Sequence, residues 1–228
     1  MDAAAELLLR WGYKRVTIED VADQAGIGKG TVYLHYRTRE ELFFSVIMRE
    51  QAGATIELIE AVRQDSRNAL PHRLIRMKYM SVMRRPILRA VISADPDILG
   101  RLVDAARGSD VGKLLGLVSS DYFQLMIEHS LVKPGISAAE LVYGVGAVTL
   151  GFLTGDAFLE AFSRPALERK ADLLEAAIER TFVLPASDDT LRAIAPEVIE
   201  LYTKSKEISE AYLVRAYEAR TTRTGDTP

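Results

Sequence analysis

The stretch AGIGKGTVYLHYRTREEL, Ala25 to Leu42, combines three glycines with an unusual distribution of charge. Between Gln24 and Arg39 there are three cations, one histidine and no acid. The whole chain of 228 residues has a net charge of −3 at pH 7, so this segment departs from its surroundings. Because the chain as a whole offers no general attraction to a polyanion, any such binding must come from a local patch of this kind.

The composition is that of an ordinary soluble globular protein, with 48% hydrophobic and 27% charged residues. The absence of cysteine excludes disulfides, thiolate chemistry and cysteine-based metal sites. The N-terminus has no basic segment followed by an apolar core, so we expect no signal peptide and a cytoplasmic location. The longest apolar tract, Leu141–Gly155, is too short and too rich in glycine for a bilayer span and predicts a buried helix, with no membrane partner.

Helical periodicity runs through nearly the whole chain and predicts an all-α fold of about ten helices. Turn chemistry marks breaks at Asp95-Pro96, Gly108-Ser109, Lys133-Pro134-Gly135, Ser163 before Pro165, and Leu184-Pro185. Helix lengths predict an N-terminal domain over residues 1–46, a larger helical domain over 47–222 and a flexible tail over 223–228. The segment from Ser187 to Arg220 is predicted to be helical, with a restart near Pro196, and its role is open.

Three short helices are predicted at the N-terminus. The first covers Asp2–Trp11, and the second opens at the capping residue Thr17. Gly26 ends the second helix, and the third, Lys29–Tyr36, follows after a turn of a few residues, which is the arrangement of a helix-turn-helix unit. Capping boxes are also predicted at Thr38 and Ser137. The predicted core of the unit is Trp11, Val21, Ala22, Ile27, Val32, Leu34 and Leu42.

In a helix-turn-helix unit the second of the two helices reaches base edges in the DNA major groove with its N-terminal residues. Hydroxyl groups and helix starts nearby can bind phosphate, which fixes register without reading sequence. For His35 a surface polar role is the alternative, and Tyr36 can be half core and half phosphate contact. The predicted DNA-binding residues are Thr17, Gly28, Lys29, Gly30, Thr31, Tyr33, His35, Tyr36, Thr38 and Arg39.

The run GYKRVTIEDVADQAGIGKGTVYLHYRTREEL, Gly12 to Leu42, resembles the DNA-binding domain of the tetracycline-repressor (TetR) family. Two positions depart from the family's pattern: Arg39 stands where a lysine is usual, and Gly28 replaces the usual serine or threonine before the recognition lysine. The family's basic arm before the first helix is expected to be missing or to precede Met1. The resemblance implies a homodimer that binds a palindromic double-stranded DNA operator and responds to a small-molecule ligand.

A stripe of small residues lies along the helix predicted from Ser137 to Phe162, at Gly144, Ala147, Gly151 and Gly155. Glycines inside a helix are unfavourable, so several together favour close approach of another helix. The resemblance implies a four-helix dimer interface formed by this helix and the next, Pro165 to Val183, with their two-fold mates. Packing within one chain is the alternative. The predicted interface also includes Leu167, Leu174 and Ile178.

Methionine and aromatic residues recur in the larger domain at helical spacing, and such side chains suit an adaptable apolar ligand cavity as well as plain core. The family resemblance implies a ligand pocket in this region. The residues assigned to it are Met80, Met83, Phe123, Met126, His129 and Phe152.

An enzyme and a helical adaptor are the competing classes of protein. His72 and His129, the only histidines outside the DNA-binding segment, lack partners at metal-ligand spacing, and no nucleotide-binding or nucleophile motif occurs. We therefore predict no catalytic residue, metal or cofactor. The interpretation favoured by the sequence is a DNA-binding transcriptional regulator, either a repressor released by a small apolar ligand or an activator.

Overall fold

The protein is described by a computed structural model over residues 1–93, 102, 110–160 and 164–218. Within these residues the fold is all-α, as predicted, and an isolated bridge between Val132 and Val183 is the only β-type pairing there. The helices are α1 (Asp2–Trp11), α2 (Ile18–Ala25), α3 (Lys29–His35), α4 (Arg39–Gln64), α5 (Pro71–Met83), α6 (Pro86–Ser93), α7 (Asp110–Glu128), α8 (Ala138–Thr154), α9 (Leu167–Phe182) and α10 (Asp188–Glu218), with 3₁₀ turns at Ser66–Ala69 and Gly155–Ala157.

Local chemistry fixes several of these helix starts. Ser137 forms a full capping box, in which its hydroxyl accepts from the Glu140 amide at 3.3 Å and the Glu140 carboxylate accepts from the Ser137 amide at 2.8 Å. Thr17 forms the second box, with Asp20. These two predicted helix starts are confirmed.

Two predicted boundaries were wrong. The C-terminal helix α10 does not restart near Pro196 but runs through it, because buried neighbours such as Ile194 and Val198 hold the helix against the core. Helix α8 ends at Thr154 and continues only as a 3₁₀ turn. Phe162, the breaks at Asp95-Pro96, Gly108-Ser109 and Ser163, and the tail 223–228 lie outside the described residues.

The chain divides into two compact units. The described residues of Met1–Gly53, Pro86–Lys113 and Lys206–Pro228 form the first, whose core is built around Leu8, Val16 and Phe43, all completely buried. Ile87 of α6 joins this core, and the ring of Tyr212 in α10 packs edge-on against Phe44 with 4.6 Å between the centroids. The first unit therefore contains more of the chain than the predicted residues 1–46.

The second unit covers Ala54–Arg85 and the described residues of Leu114–Ser205. Its helices α5, α8 and α9 pack on one another, and Leu74, Leu141 and Leu174 are completely buried between them. Tyr122 of α7 is buried with its hydroxyl donating to the carbonyl of Ala69 at 2.8 Å, and this burial raises its pKa well above 10.

Candidate nucleic-acid interface

The turn between α2 and α3 is built by backbone chemistry that the sequence indicates. Gly26 has φ 66° and ψ 31°, the left-handed conformation that glycine adopts without strain, and its amide donates to the carbonyl of Asp23 at 3.1 Å. Thr17 accepts from the Asp20 amide at 3.2 Å, which fixes the start of α2. The helix-turn-helix geometry follows from these two ends, and α3 begins immediately after the turn, at Lys29.

Helix α3 buries one residue and exposes most of the others. Val32 is 4% exposed and belongs to the core of the first unit. The predicted contacts Lys29, Gly30, Thr31 and Tyr33 all lie exposed on this short helix, preceded by the exposed Gly28. His35 and Tyr36 are half-buried at its end, and Tyr36 packs against the core. The structure thus brings these predicted residues onto one compact surface.

Lys29 does not stand in a region free of acid. Its ammonium group lies 3.1 Å from the Glu19 carboxylate at the start of α2, and this ion pair raises the pKa of Lys29. The sequence between residues 24 and 39 has no acid, but folding brings in Glu19 from outside that segment. Both side chains are largely exposed, and an exposed pair of this kind contributes little to stability, so Lys29 can leave it for a polyanion.

Arg39 was predicted to face phosphate, but its guanidinium group packs against its own domain. One terminal nitrogen donates to the carbonyls of Tyr13 and Val16, both at 3.1 Å, and the guanidinium carbon lies 4.1 Å from the centre of the Tyr13 ring. The Tyr13 hydroxyl in turn donates to the Glu40 carboxylate, which lowers the pKa of Glu40. Arg39 therefore joins the loop after α1 to the start of α4.

The predicted capping box at Thr38 forms only in part. The Thr38 hydroxyl accepts from the Glu41 amide at 3.0 Å, as expected. The Glu41 carboxylate, however, accepts from the amide of Arg37 at 2.6 Å. Thr38 remains exposed at the start of α4.

Three residues that were predicted as core are exposed: Trp11 at 43%, Ile27 at 43% and Leu34 at 61%. Trp11 follows the apolar spacing of α1, but the chain leaves the helix at Gly12, and Tyr13 and Val16 fill the core there instead. Leu34 is two residues from the buried Val32 and therefore lies on the other side of α3. Ile27 belongs to the turn, where its amide donates to the Ala22 carbonyl. The predicted core residues Val21, Ala22, Val32 and Leu42 are buried.

The residues assigned to a ligand pocket pack as core in the second unit. Met126 is completely buried, and Phe123 and Met80 are 5% and 9% exposed. Met83 and Phe152 pack against the same cluster, whereas His129 is one-third exposed, with its Nε2 3.6 Å from a Glu197 carboxylate oxygen.

A groove of about 320 Å³ opens elsewhere in the second unit, between the start of α5 and the α9–α10 connection. It is lined by residues that include Leu70, His72 and Leu184, and none of the six predicted pocket residues lines it. His72 is 7% exposed, its Nδ1 has no hydrogen-bond partner, and burial lowers its pKa. No local sequence pattern predicts this groove, because its lining residues come from separate segments.

The predicted dimer interface is corrected in part. Leu174 and Ile178 are completely buried in the core of their own chain, because they point from α9 towards α5 and α8, and they cannot face a partner. Gly144 lies under Phe182, where an added Cβ would meet the ring at 3.0 Å. Leu167 also packs against the core, and the half-buried Gly155 lies beside Leu159 of its own chain.

The outer face of α8 is exposed, contrary to the expectation of a buried helix. Ala147 and Gly151 are exposed, and so are Tyr143 at 79% and Leu150 at 42%. By length and composition the segment Ala138–Ala157 could cross a membrane, with 11% of its apolar window buried; one such helix is weak evidence for a span. We define the outer face of α8 as Val142, Tyr143, Gly146, Ala147, Leu150 and Gly151.

Comparison with known proteins places residues 1–46 in a family. They match the model of the bacterial regulatory proteins of the tetR family. The chain is similar to the fatty acid metabolism regulator protein of Bacillus subtilis, with 35% identity over 60 residues, 26% of this chain and 30% of that protein. It is also similar to the HTH-type transcriptional activator FasR of Mycolicibacterium smegmatis, with 31% identity over 71 residues, 31% of each chain.

A third relative is an uncharacterized HTH-type transcriptional regulator, YhgD of Bacillus subtilis, 35% identical over 63 residues, which are 26% of this chain and 33% of that protein. The matches span about a third of the length of each curated relative. The helix-turn-helix geometry and the family match concern the same residues. The similarity to the tetR family of bacterial regulatory proteins therefore covers the N-terminal residues 1–46, which contain the helix-turn-helix unit.

Proposed function

We propose that this protein is a sequence-specific regulator of transcription that binds double-stranded DNA through α3. The observation that carries the proposal is the surface of α3, where Lys29, Thr31 and Tyr33 lie exposed next to a buried Val32. A lysine can donate to guanine acceptors or phosphate, and hydroxyls donate to phosphate oxygens. The Thr17 and Thr38 helix starts add backbone amides with partial positive charge to this surface.

Selection of DNA from a random pool by the purified full-length protein tests this function. We expect one enriched sequence, bound with an affinity that falls as salt rises, because phosphate contacts release counterions. Retention of the selected site over scrambled DNA at high salt supports a regulator. Loss of that preference would favour a helical adaptor that uses its helix-turn-helix unit for protein contacts.

The proposal includes a homodimer on a palindromic operator. The outer face of α8 supports a homodimer, because a contiguous exposed apolar face is typical of a protein–protein interface. A two-fold related copy would present the same apolar face to it. Ala147 and Gly151 are the predicted interface residues that are available on this face. Two α3 helices related by a two-fold axis would read two half-sites of a palindrome.

Regulation by a small apolar ligand, with release of a repressor from its operator, is the finer part of the proposal. Activation remains the alternative, and one relative is named as an activator. The role in fatty acid metabolism that another relative's name states belongs to that protein, of which 30% is matched. Changing operator occupancy from nearly full to nearly empty requires about 5.5 kcal/mol of differential ligand binding.

The position of the ligand site can be tested in the second unit. Phe123→Trp enlarges a side chain in the predicted pocket, so it should block a ligand that enters there while operator binding persists. The measurement is the ligand-dependent release of labelled operator from wild type and variant. An unchanged ligand response in a folded variant would exclude the predicted pocket as the ligand site and favour the groove beside His72.

A further inference from the structure

Gly30 and Leu34 form the outward face of α3. They are four residues apart, one helical turn, and each lies about 160° around the helix axis from the buried Val32. Leu34 is 61% exposed, the largest exposed fraction of a bulky apolar residue in the described part of residues 1–53. The side of α3 that points directly away from the core thus carries a glycine and a leucine, neither of which can donate a side-chain hydrogen bond.

Nothing inside the protein requires a glycine at position 30. A Cβ built on Gly30 meets no atom within 4 Å, and its φ is not positive. Glycine is among the least favourable residues in a helix, and Gly30 lacks the positive φ that favours glycine at Gly26. Neither backbone conformation nor internal packing requires the missing side chain, and its absence leaves the outward face of α3 open to close approach by a molecule from outside.

The chemistry around this face selects the approaching molecule. Lys29 and Arg37 lie exposed nearby in the chain, and the exposed ion pair of Lys29 with Glu19 contributes little, so a polyanion can replace Glu19 and is favoured. On the major-groove edges of base pairs, most groups are hydrogen-bond donors or acceptors, and the C5 methyl of thymine is the apolar one. An exposed leucine on a groove-facing helix has no other base edge to match.

We propose that Leu34 reads a thymine by contact with its C5 methyl group, and that Gly30 provides the clearance that brings α3 close enough for this contact. The inference rests on the proposed DNA-binding function and specifies one element of the operator: an A·T pair in each half-site, oriented with the thymine methyl towards Leu34. Lys29 and Tyr33, four residues apart and on the same side of this face, supply polar contacts beside it, and Thr31 supplies one on the opposite side.

The test uses operators selected by the full-length protein, with each thymine replaced in turn by uracil, which removes only the methyl group. At one thymine per half-site, uracil should weaken wild-type binding about fourfold, the value expected for one buried methyl-sized group. Leu34→Ala removes the contact in both subunits of the dimer, so it should bind the thymine operator about sixteenfold more weakly than wild type does, as weakly as wild type binds an operator with uracil in both half-sites. It should no longer distinguish thymine from uracil at these positions.

Gly30→Ala provides a second readout with effects of opposite sign. The thermal midpoint should stay the same or rise, because alanine favours the helix and the new methyl group meets nothing in the protein. Operator affinity should fall about tenfold, because the methyl group overpacks the close contact with DNA. The matched control is Gly116→Ala, an equally open glycine on α7, which should leave operator affinity unchanged.

Three results would overturn the inference: no thymine whose methyl matters, a methyl effect that survives in Leu34→Ala, or full operator affinity in Gly30→Ala. In each case a selected operator would still demonstrate DNA binding, so the proposed function would stand. Failure to select any DNA would contradict the proposed function itself.

Discussion

The outer faces of α3 and α8 both leave large apolar side chains exposed, but their surroundings differ. Leu34 on α3 is 61% exposed and Tyr143 on α8 is 79% exposed. Charged residues, the cations Lys29 and Arg37 and the Glu19 partner of Lys29, lie near the α3 face, whereas no charged residue occurs between Glu140 and Asp156 around the α8 face. Exposure alone therefore does not identify a partner. The neighbouring charge does: cations indicate a polyanion, and an uncharged apolar face indicates another apolar protein surface.

The largest effect is expected from a charge placed on the α8 face. Tyr143→Asp should weaken dimerisation by about 3–5 kcal/mol, because association would bury an unpaired carboxylate. Sedimentation velocity at low micromolar concentration should then show a monomer with wild-type helical content. Ile56→Asp, at an exposed apolar residue of α4, is the control and should remain dimeric. An intact dimer in Tyr143→Asp would mean that the dimer interface lies on a surface other than the outer face of α8.

The corresponding variant on α3 is Lys29→Ala, and it should not affect assembly. We expect a loss of about 1–3 kcal/mol in operator binding together with an altered sequence preference, because Lys29 lies at the groove-facing end of α3. Glu19→Gln is the matched control, since it releases Lys29 from its ion pair without removing the cation. Unchanged affinity and preference in Lys29→Ala would contradict the assignment of this surface.

Substitutions at two glycines of α8 should distinguish an effect on dimerisation from an effect on the stability of the monomer. Gly151→Leu should weaken the dimer by about 1–3 kcal/mol through overpacking, while the monomer stays stable because a Cβ there meets nothing within 4 Å. Gly144→Ala should instead lower the thermal midpoint, because its methyl group would meet Phe182 at 3.0 Å. A dimer that tolerates leucine at position 151 at low micromolar concentration would exclude close helix contact at that point.

Signals within a few residues were predicted well from the sequence. The capping residues Thr17 and Ser137 and the left-handed Gly26 are set by chemistry within three or four positions, so composition and spacing suffice. The faces of helices were predicted less well. Trp11 has the correct spacing for the core but lies where α1 ends, and Leu174 has the spacing of an interface but lies under α5 and α8.

Contacts between distant segments could not be predicted, because no local pattern encodes them. Glu19 meets Lys29, the carbonyl of Val16 accepts from Arg39, and Tyr212 covers Phe44 only after the chain has folded. The contact with Tyr212 also assigns a structural role to the end of α10, which the sequence left open. Burial, and to a smaller extent the charge of the Glu41 carboxylate, raise the pKa of Tyr212 to about 12.

Arg39 has a positioning role in addition to the predicted phosphate contact, because it donates to the carbonyls of Tyr13 and Val16. Arg39→Ala should reduce the salt slope of operator binding by about 1 if the phosphate contact exists. It should also lower the free energy of unfolding by about 1–2 kcal/mol, because the carbonyls of Tyr13 and Val16 lose their donor.

Arg39→Lys separates these two roles. It keeps the charge and the salt slope, but a lysine lacks the planar fork that serves two carbonyls while stacking on Tyr13. Stability should therefore fall in both variants and the slope in only one. An unchanged slope in Arg39→Ala would leave Arg39 with the positioning role alone.

The smallest expected effect concerns the hydrogen bond between Tyr13, which follows α1, and Glu40, at the start of α4. Tyr13→Phe keeps the ring against Phe43, at a centroid distance of 5.6 Å, but removes the hydroxyl that donates to Glu40. That hydrogen bond lowers the pKa of Glu40 in the folded state. Its stabilisation is therefore present above the unfolded-state pKa, about 4.3, and is lost as pH falls through the lower folded-state value.

Wild type should accordingly exceed Tyr13→Phe by about 0.5–1 kcal/mol near pH 7, a low value because the Glu40 carboxylate is exposed. The difference should shrink below pH 4, and urea denaturation followed by circular dichroism from pH 3 to 8 measures it. Glu40→Gln should remove the same pH dependence and serves as the control. A difference that stays constant with pH would show that the hydroxyl acts through packing rather than through the Glu40 carboxylate.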